Sequence, residues 1–217
     1  MTVSFLETDH IRAVSGMSET PIVFIVDDDP AVQRAVAIVA RSLGYAVRTL
    51  SSAEDFLYAF QESDAGCLVL DVRMPTMTGL ELQKMLKSAG VTLPVIMISG
   101  HADVRMAVEA MSSGAFTFLE KPFRMNELTE KINQAVEKNR AERQRDRELT
   151  DLQTRMASLT RREREVLDLL LQGKTNKEMA EQLGLSLRAV EDRRARLMKR
   201  MGAASTVELV SLVKSLP

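Results

Sequence analysis

Three consecutive aspartates, Asp27, Asp28 and Asp29, follow the apolar run Ile22–Val26, and a fourth, Asp71, follows the run Cys67–Leu70. Carboxylates gathered in this way repel one another unless a cation sits among them. A donor set made only of hard oxygens favours magnesium over zinc or copper. Asp29 has a simpler use, because an aspartate before Pro30 suits a helix N-cap followed by proline at the first helical position. Capping does not account for Asp27, Asp28 and Asp71 together. Lys121, ahead of Pro122 and after the run Phe116–Leu119, brings an ammonium that can balance those acids or hold an anion bound among them. A point charge of that kind suits a phosphoryl oxygen. Ser99, ahead of Gly100 and after Val95–Ile98, adds a hydroxyl donor.

These residues converge only if the runs that precede them are neighbours. Ile22–Val26, Cys67–Leu70, Val95–Ile98, Phe116–Leu119 and a weaker run at Ala46–Leu50 are expected strands. The intervals between them have helical period at Pro30–Leu43, Ala53–Gln61, Leu80–Ser88 and Val104–Ser113, with a further helix from Met125. Strand and helix in alternation imply a parallel sheet, and the carboxyl ends of its central strands share one rim. Asp27, Asp28, Asp71, Ser99 and Lys121 all fall there. Residues 1–20 have no sustained period and are expected to be a flexible extension, with Met17 as an alternative start.

A chain of 217 residues with 45% hydrophobic and 27% charged side chains can bury ordinary cores, and its length suits two compact units. No apolar run reaches the roughly 20 residues that cross a bilayer, and the N-terminus lacks a signal-peptide pattern, so the expected location is the cytoplasm and no membrane partner is expected. Cys67 is the only cysteine, which excludes an intrachain disulfide and a cysteine-based zinc cluster and makes it a buried small hydrophobe. The net charge of −1 is unevenly distributed: residues 1–135 carry −6 and residues 158–217 carry +4. An acidic front and a basic back point to different partners.

Past Met125 the helical pattern continues through Leu128, Ile132, Ala135 and Val136 into a charged stretch, Glu137 to Glu148, free of glycine and proline. Leu149, Leu152, Met156 and Leu159 then form a short heptad-like seam. It suits either pairing with a second copy or docking on the chain's own domain. Thr160 and Glu163 make a capping box ahead of the stripe Val166, Leu167, Leu170 and Leu171. A second helix begins at Asn176 and ends near Gly184. Ser186 caps a third that carries Arg188, Arg193, Arg194, Arg196, Lys199 and Arg200. Two helices around a glycine turn suggest a helix-turn-helix, the alternative being a basic bundle that binds another protein.

V-D-D-D at 26–29, L-D-V-R-M-P at 70–75, S-G at 99–100 and E-K-P-F at 120–123 resemble, in order and spacing, the receiver domains of response regulators. The resemblance covers Ile22 to Val136 and implies a five-stranded flavodoxin-like α/β fold. It implies Asp71 as phosphoacceptor, and Asp27, Asp28, Asp71 and the Arg73 backbone carbonyl as magnesium ligands. Lys121 would hold the phosphoryl group, and the Lys121-Pro122 peptide would be cis. Ser99 and Phe118 fall on the family's switch positions, although Phe118 also fits simple core packing. The protein would assist its own phosphorylation without being an enzyme in the ordinary sense.

In the tail, L-T-R-R-E-R-E-V-L, N-K-E-M-A, L-G-L-S and R-A-V-E resemble the all-α four-helix LuxR-type output domain of NarL and FixJ regulators. Together with the receiver, the likeness is to FixJ-type proteins. The implied organisation is a flexible extension at 1–20, a receiver at 21–136, a helical linker at 137–157 and a DNA-binding domain at 158–217. Helix Ser186–Met201 would enter the major groove, with Lys177, Arg188, Arg193, Arg194, Arg196 and Lys199 on phosphates or bases. Glu191 or Asp192 would accept from cytosine N4. Implied partners are double-stranded DNA, a sensor histidine kinase, a second copy on phosphorylation, and RNA polymerase.

Two further readings compete. A magnesium-dependent phosphatase with an aspartyl nucleophile would usually place a second acid two residues after Asp71, where Arg73 stands. A DNA-binding regulator that uses the receiver only to dimerise would leave Asp28, Asp71, Ser99 and Lys121 without a purpose.

Overall fold

The computed structural model describes residues 20–100 and 104–216. Apart from Thr20, the expected N-terminal extension lies outside the described residues. Two compact units divide between Arg140 and Ala141.

The first unit alternates strands β1 (Ile22–Val26), β2 (Ala46–Leu50), β3 (Gly66–Asp71), β4 (Val95–Ser99) and β5 (Thr117–Glu120) with helices α1 (Pro30–Ser42), α2 (Ala53–Ala59), α3 (Gly79–Ser88), α4 (Val104–Ser112) and the start of α5 (Met125–Ala157). All pairings are parallel, in the order β2-β1-β3-β4-β5. Side chains alternate across a strand, so each strand feeds two apolar layers. Val23, Ile25, Cys67, Val69, Ile96, Ile98 and Leu119 meet Val36 and Ala40 of α1 and Leu128, Ile132, Ala135 and Val136 of α5. Phe24, Val26, Leu68, Leu70 and Met97 meet Phe56 of α2, Leu82 and Leu86 of α3, and Ala110 of α4. Each fully buried Val, Leu, Ile or Phe contributes about 1.5–3 kcal/mol. Cys67 belongs to the first layer, and burial pushes its thiol pKa up to about 12.

Several boundaries differ from the periodicity by one or two residues, and two of them have a visible cause. Helix α2 stops at Ala59 rather than Gln61 because Phe60 takes extended backbone and stacks on Phe56, with ring centroids 5.2 Å apart. Strand β5 begins at Thr117, the partner of Ile96; the Phe116 side chain packs into the first layer.

The second unit contains α6 (Arg161–Leu171), α7 (Asn176–Leu183), α8 (Leu187–Met201) and α9 (Thr206–Lys214). Thr160 with Glu163 and Thr175 with Glu178 form complete capping boxes, and Ser186 and Ser205 cap the other two starts. Gly184 ends α7 in the left-handed conformation at φ 64°, where a side chain would be strained, and Leu185 and Ser186 complete the turn into α8. Val166, Leu167, Met179, Val190, Leu197, Met201 and Leu209 are the centre of the core. Leu152 and Leu159 are buried in this same core and Met156 packs against it, so these three members of the seam dock on their own domain.

Candidate functional site

β1 and β3 are central neighbours, Val26 opposite Leu70, and their chains run on into Asp27 and Asp71 at the same rim. β4 and β5 end alongside, Ser99 opposite Glu120, which delivers Lys121. Asp27 is fully buried and Asp71 is 5% exposed. The Lys121 Nζ joins them, donating to Asp27 Oδ2 at 2.7 Å and to Asp71 Oδ1 at 2.6 Å. The outer oxygens are also used: Asp27 Oδ1 accepts from the Asp29 N–H at 2.8 Å, and Asp71 Oδ2 from the Arg73 N–H at 2.7 Å. The Lys121-Pro122 peptide is cis, and the Lys121 N–H donates to the Ser99 carbonyl at 2.8 Å.

Burial raises the Asp71 pKa above its ordinary value, with the Asp27 charge adding to the rise, against the lowering contacts of Lys121 and the Arg73 N–H. Burial alone would depress Lys121, yet its hydrogen bonds to Asp27 and Asp71 carry its pKa above the ordinary lysine value. Two buried carboxylates thus share one ammonium at the rim.

Asp28 is exposed beside the pair. Asp29 is the N-cap of α1, its Oδ1 accepting from the Ala31 N–H at 2.7 Å, as expected. Ser99 is buried, and Phe118 is half-buried against the second apolar layer. Among the described residues, no three His, Cys, Asp or Glu side chains gather closely enough to hold a metal ion between them.

Several positioning residues were invisible to sequence pattern. Gln33 Nε2 donates to the carbonyls of Asp27 at 2.7 Å and Leu50 at 2.9 Å, tying the ends of β1 and β2. Gly79 opens α3 directly against the Asp71 backbone, where an added Cβ would stand 2.1 Å from the Asp71 carbonyl oxygen. The loop between them contains Thr76 at φ 68°, a conformation uncommon for a residue with a side chain. The one legible signal was T-x-x-E at 78–81, whose capping box fixes the start of α3.

In the tail, Val190, Leu197 and Met201 line the buried side of α8. Arg188, Glu191, Asp192, Arg196 and Lys199 are exposed, as are Ala195 on α8 and Lys177 on α7; Arg193 is half-buried. Arg194 differs. Four residues after Val190 and three before Leu197, it shares their face, and its fork donates to Asn176 Oδ1 at 2.8 Å and to Thr206 Oγ1. It thereby joins the first residues of α7 and α9. The far end of α8 is held by Arg155, which donates to the Met201 carbonyl at 3.0 Å, and by Arg200, which reaches Glu163 at 3.3 Å.

Against known families, a model described as the response regulator receiver domain matches residues 23–133, and one described as bacterial regulatory proteins, luxR family, matches residues 157–213. The chain belongs to the NarL/FixJ family of response regulators. This response regulator is 40% identical over 195 residues to the response regulator protein TodT of Pseudomonas putida, covering 90% of this chain and 86% of TodT. It is 42% identical over 196 residues to the transcriptional regulatory protein FixJ of Azorhizobium caulinodans, covering 90% of this chain and 93% of FixJ. Among solved structures, response regulator StyR superposes with a TM-score of 0.82 at 38% identity, covering 90% of this chain and 98% of that one. Full-length FixJ from B. japonicum gives 0.56 at 37% identity, covering 91% and 97%. The response regulator thus has the flavodoxin-like receiver and LuxR-type output domain that its motifs resemble, in a family of transcription regulators. Among the described residues, no helix is long and apolar enough to cross a membrane.

Proposed function

We propose that this response regulator accepts a phosphoryl group on Asp71 from a sensor histidine kinase and thereby gains affinity for DNA. The observation that carries the reading is the pair of buried carboxylates bridged by one ammonium at the strand ends, Asp27 and Asp71 on Lys121. An Asp71 oxygen forms the new O–P bond while the N–P bond to the kinase imidazole breaks, and the leaving imidazole regains its electron pair. Such a transfer needs positioning and charge neutralisation more than covalent help. Lys121, 2.6 Å from Asp71, is set to turn its ammonium toward the phosphoryl oxygens.

The donor set fits magnesium: Asp27, Asp28 and Asp71 carboxylates with the Arg73 carbonyl are all hard oxygens. Magnesium commonly keeps several waters and takes one or two carboxylates plus phosphate oxygens rather than an all-protein cage. When bound, it would supply positive charge to the transferring group. Ser99 and Phe118 would relay the change, the hydroxyl toward the phosphoryl group and the ring inward. Dimerisation would follow, and two tails would then grip paired half-sites in the cytoplasm and engage RNA polymerase.

On DNA, Lys177, Arg188, Arg196 and Lys199 suit phosphates or base edges, with Arg193 at the flank. Glu191 or Asp192 would accept from cytosine N4. Arg194 acts instead as a positioning residue, because its donors are used between α7 and α9. Incubation of the full chain with magnesium and phosphoramidate, followed by intact-mass measurement, tests the first step. One phosphoryl increment in the wild type, none in Asp71→Asn and none with chelator is the expected result. Equal labelling of Asp71→Asn would overturn it.

A further inference from the structure

The backbone on either side of Asp28 is held at two points. The peptide that follows it is fixed by the Asp29 N–H, which donates to Asp27 Oδ1 at 2.8 Å. The peptide that precedes it is fixed by Gln33, whose Nε2 donates to the Asp27 carbonyl at 2.7 Å. A peptide unit is planar, so a bond to its oxygen constrains the tilt of the whole unit. Gln33 is itself anchored in the first turns of α1, where its own N–H donates to the carbonyl of the N-cap, Asp29, at 3.1 Å. The Nε2 also reaches the Leu50 carbonyl at 2.9 Å, which accepts the Asp27 N–H at 3.3 Å as well. Both amide hydrogens are thus used on carbonyl oxygens, and turning the amide over would set its oxygen against the same two acceptors. Asp28 is exposed, so no packing steers its side chain, and its Cα–Cβ bond points where these two peptides send it.

We propose that Gln33 is a positioning residue for the cation at the acid rim: by holding the Asp27 carbonyl it aims the Asp28 carboxylate. This rests on the reading of the rim as a magnesium site. Magnesium demands a nearly octahedral oxygen set, whereas calcium tolerates irregular ones. A carboxylate released from its aim is therefore a larger loss to magnesium than to calcium. Groups that orient a ligand from outside the coordination sphere commonly account for about tenfold in metal affinity. A tie that only steadied the sheet edge would act on both ions alike.

The test is an amide-resolved NMR titration of the full-length protein with magnesium chloride and, separately, with calcium chloride, read at Asp28, Asp71 and Arg73. Gln33→Met keeps the length of the side chain and removes both donors. It should weaken magnesium binding about tenfold and calcium binding by much less. Gln33→Glu, equally long and also without a donor at neutral pH, should shift the preference from magnesium toward calcium in the same sense, although its charge strengthens both. That comparison stands even if Gln33→Met fails to fold. Unchanged magnesium affinity in Gln33→Met, or an equal loss for both ions, would overturn the proposal and leave Gln33 as a tie between strand ends. A wild type that binds no magnesium at the rim would instead overturn the magnesium reading, and this inference with it.

Discussion

Asp71 in the receiver and Glu163 in the tail are both nearly buried carboxylates, 5% and 4% exposed, and each has a basic side chain close by. Burial nevertheless leaves the Asp71 pKa above its ordinary value, while hydrogen bonds from Thr160 hold that of Glu163 below. The tail acid completes a capping box, satisfying N–H groups that the first turn of α6 would otherwise leave open. The receiver acid competes with Asp27 for one ammonium and closes no helix or sheet. A protein tolerates such an arrangement where the charge is needed for something other than folding.

The contrast is tested most severely by substitution at Asp71. Asp71→Asn should abolish phosphoryl labelling while stabilising the receiver at neutral pH by roughly 1 kcal/mol, since it removes a buried charge that lacks full compensation. The protein has two tyrosines, both in the receiver, and no tryptophan, so tyrosine fluorescence during urea unfolding reports that domain. A lower midpoint for Asp71→Asn would mean that the acid is structural after all.

Next in size is Gly79→Ala. With a Cβ 2.1 Å from the Asp71 carbonyl, α3 must shift, at a cost of about 1–3 kcal/mol. Labelling should slow in proportion to the displaced loop, and the same fluorescence titration and intact-mass time course would register both effects.

On the tail side, Lys199→Ala should weaken binding to any duplex and lower the salt slope of log affinity by about 1. Arg194→Ala should weaken binding without changing the slope, as expected of a residue that holds α8 rather than touching phosphate. A reduced slope for Arg194→Ala would return it to the DNA contacts.

The smallest effect lies in acid. A carboxyl with a lowered pKa contributes stability that is present above its ordinary value and lost as pH falls through the folded one. For Glu163, whose ordinary value is 4.5, Glu163→Gln should therefore destabilise the tail at neutral pH, and the difference from wild type should fade on acidification. With solvent screening the loss stays below about 1 kcal/mol. For Asp71 the sign reverses. A raised pKa contributes stability present below the ordinary value and lost as pH rises through the folded one, so the advantage of Asp71→Asn should shrink as pH falls. Hydrogen exchange of α6 and β3 amides across pH 4 to 7, a window of roughly the width over which native carboxyls titrate, separates the two.

Much of this was legible before the fold. The strands read directly because apolar runs bounded by acids, glycine or proline leave little choice, and the rim followed from placing their carboxyl ends together. Gln33 and Gly79 could not be read, since their roles depend on where a second segment passes. The seam at Leu152, Met156 and Leu159 was ambiguous because the same spacing serves a partner helix or a neighbouring domain. Arg194 shows a signal that was passed over: its spacing from Val190 and Leu197 places it on the apolar stripe, where it joins Asn176 and Thr206, while the abundance of arginine in α8 grouped it with the expected DNA contacts.

The coupling of the two domains remains the step on which the function rests. Affinity for duplexes from a randomised pool, with sedimentation in parallel, should be compared with and without magnesium and phosphoramidate for wild type and Asp71→Asn. Phosphodonor should drive the wild type toward a dimer and tighten its hold on DNA, and should leave Asp71→Asn unchanged. Phosphodonor-independent binding by the wild type, or an equal response from Asp71→Asn, would contradict the coupling.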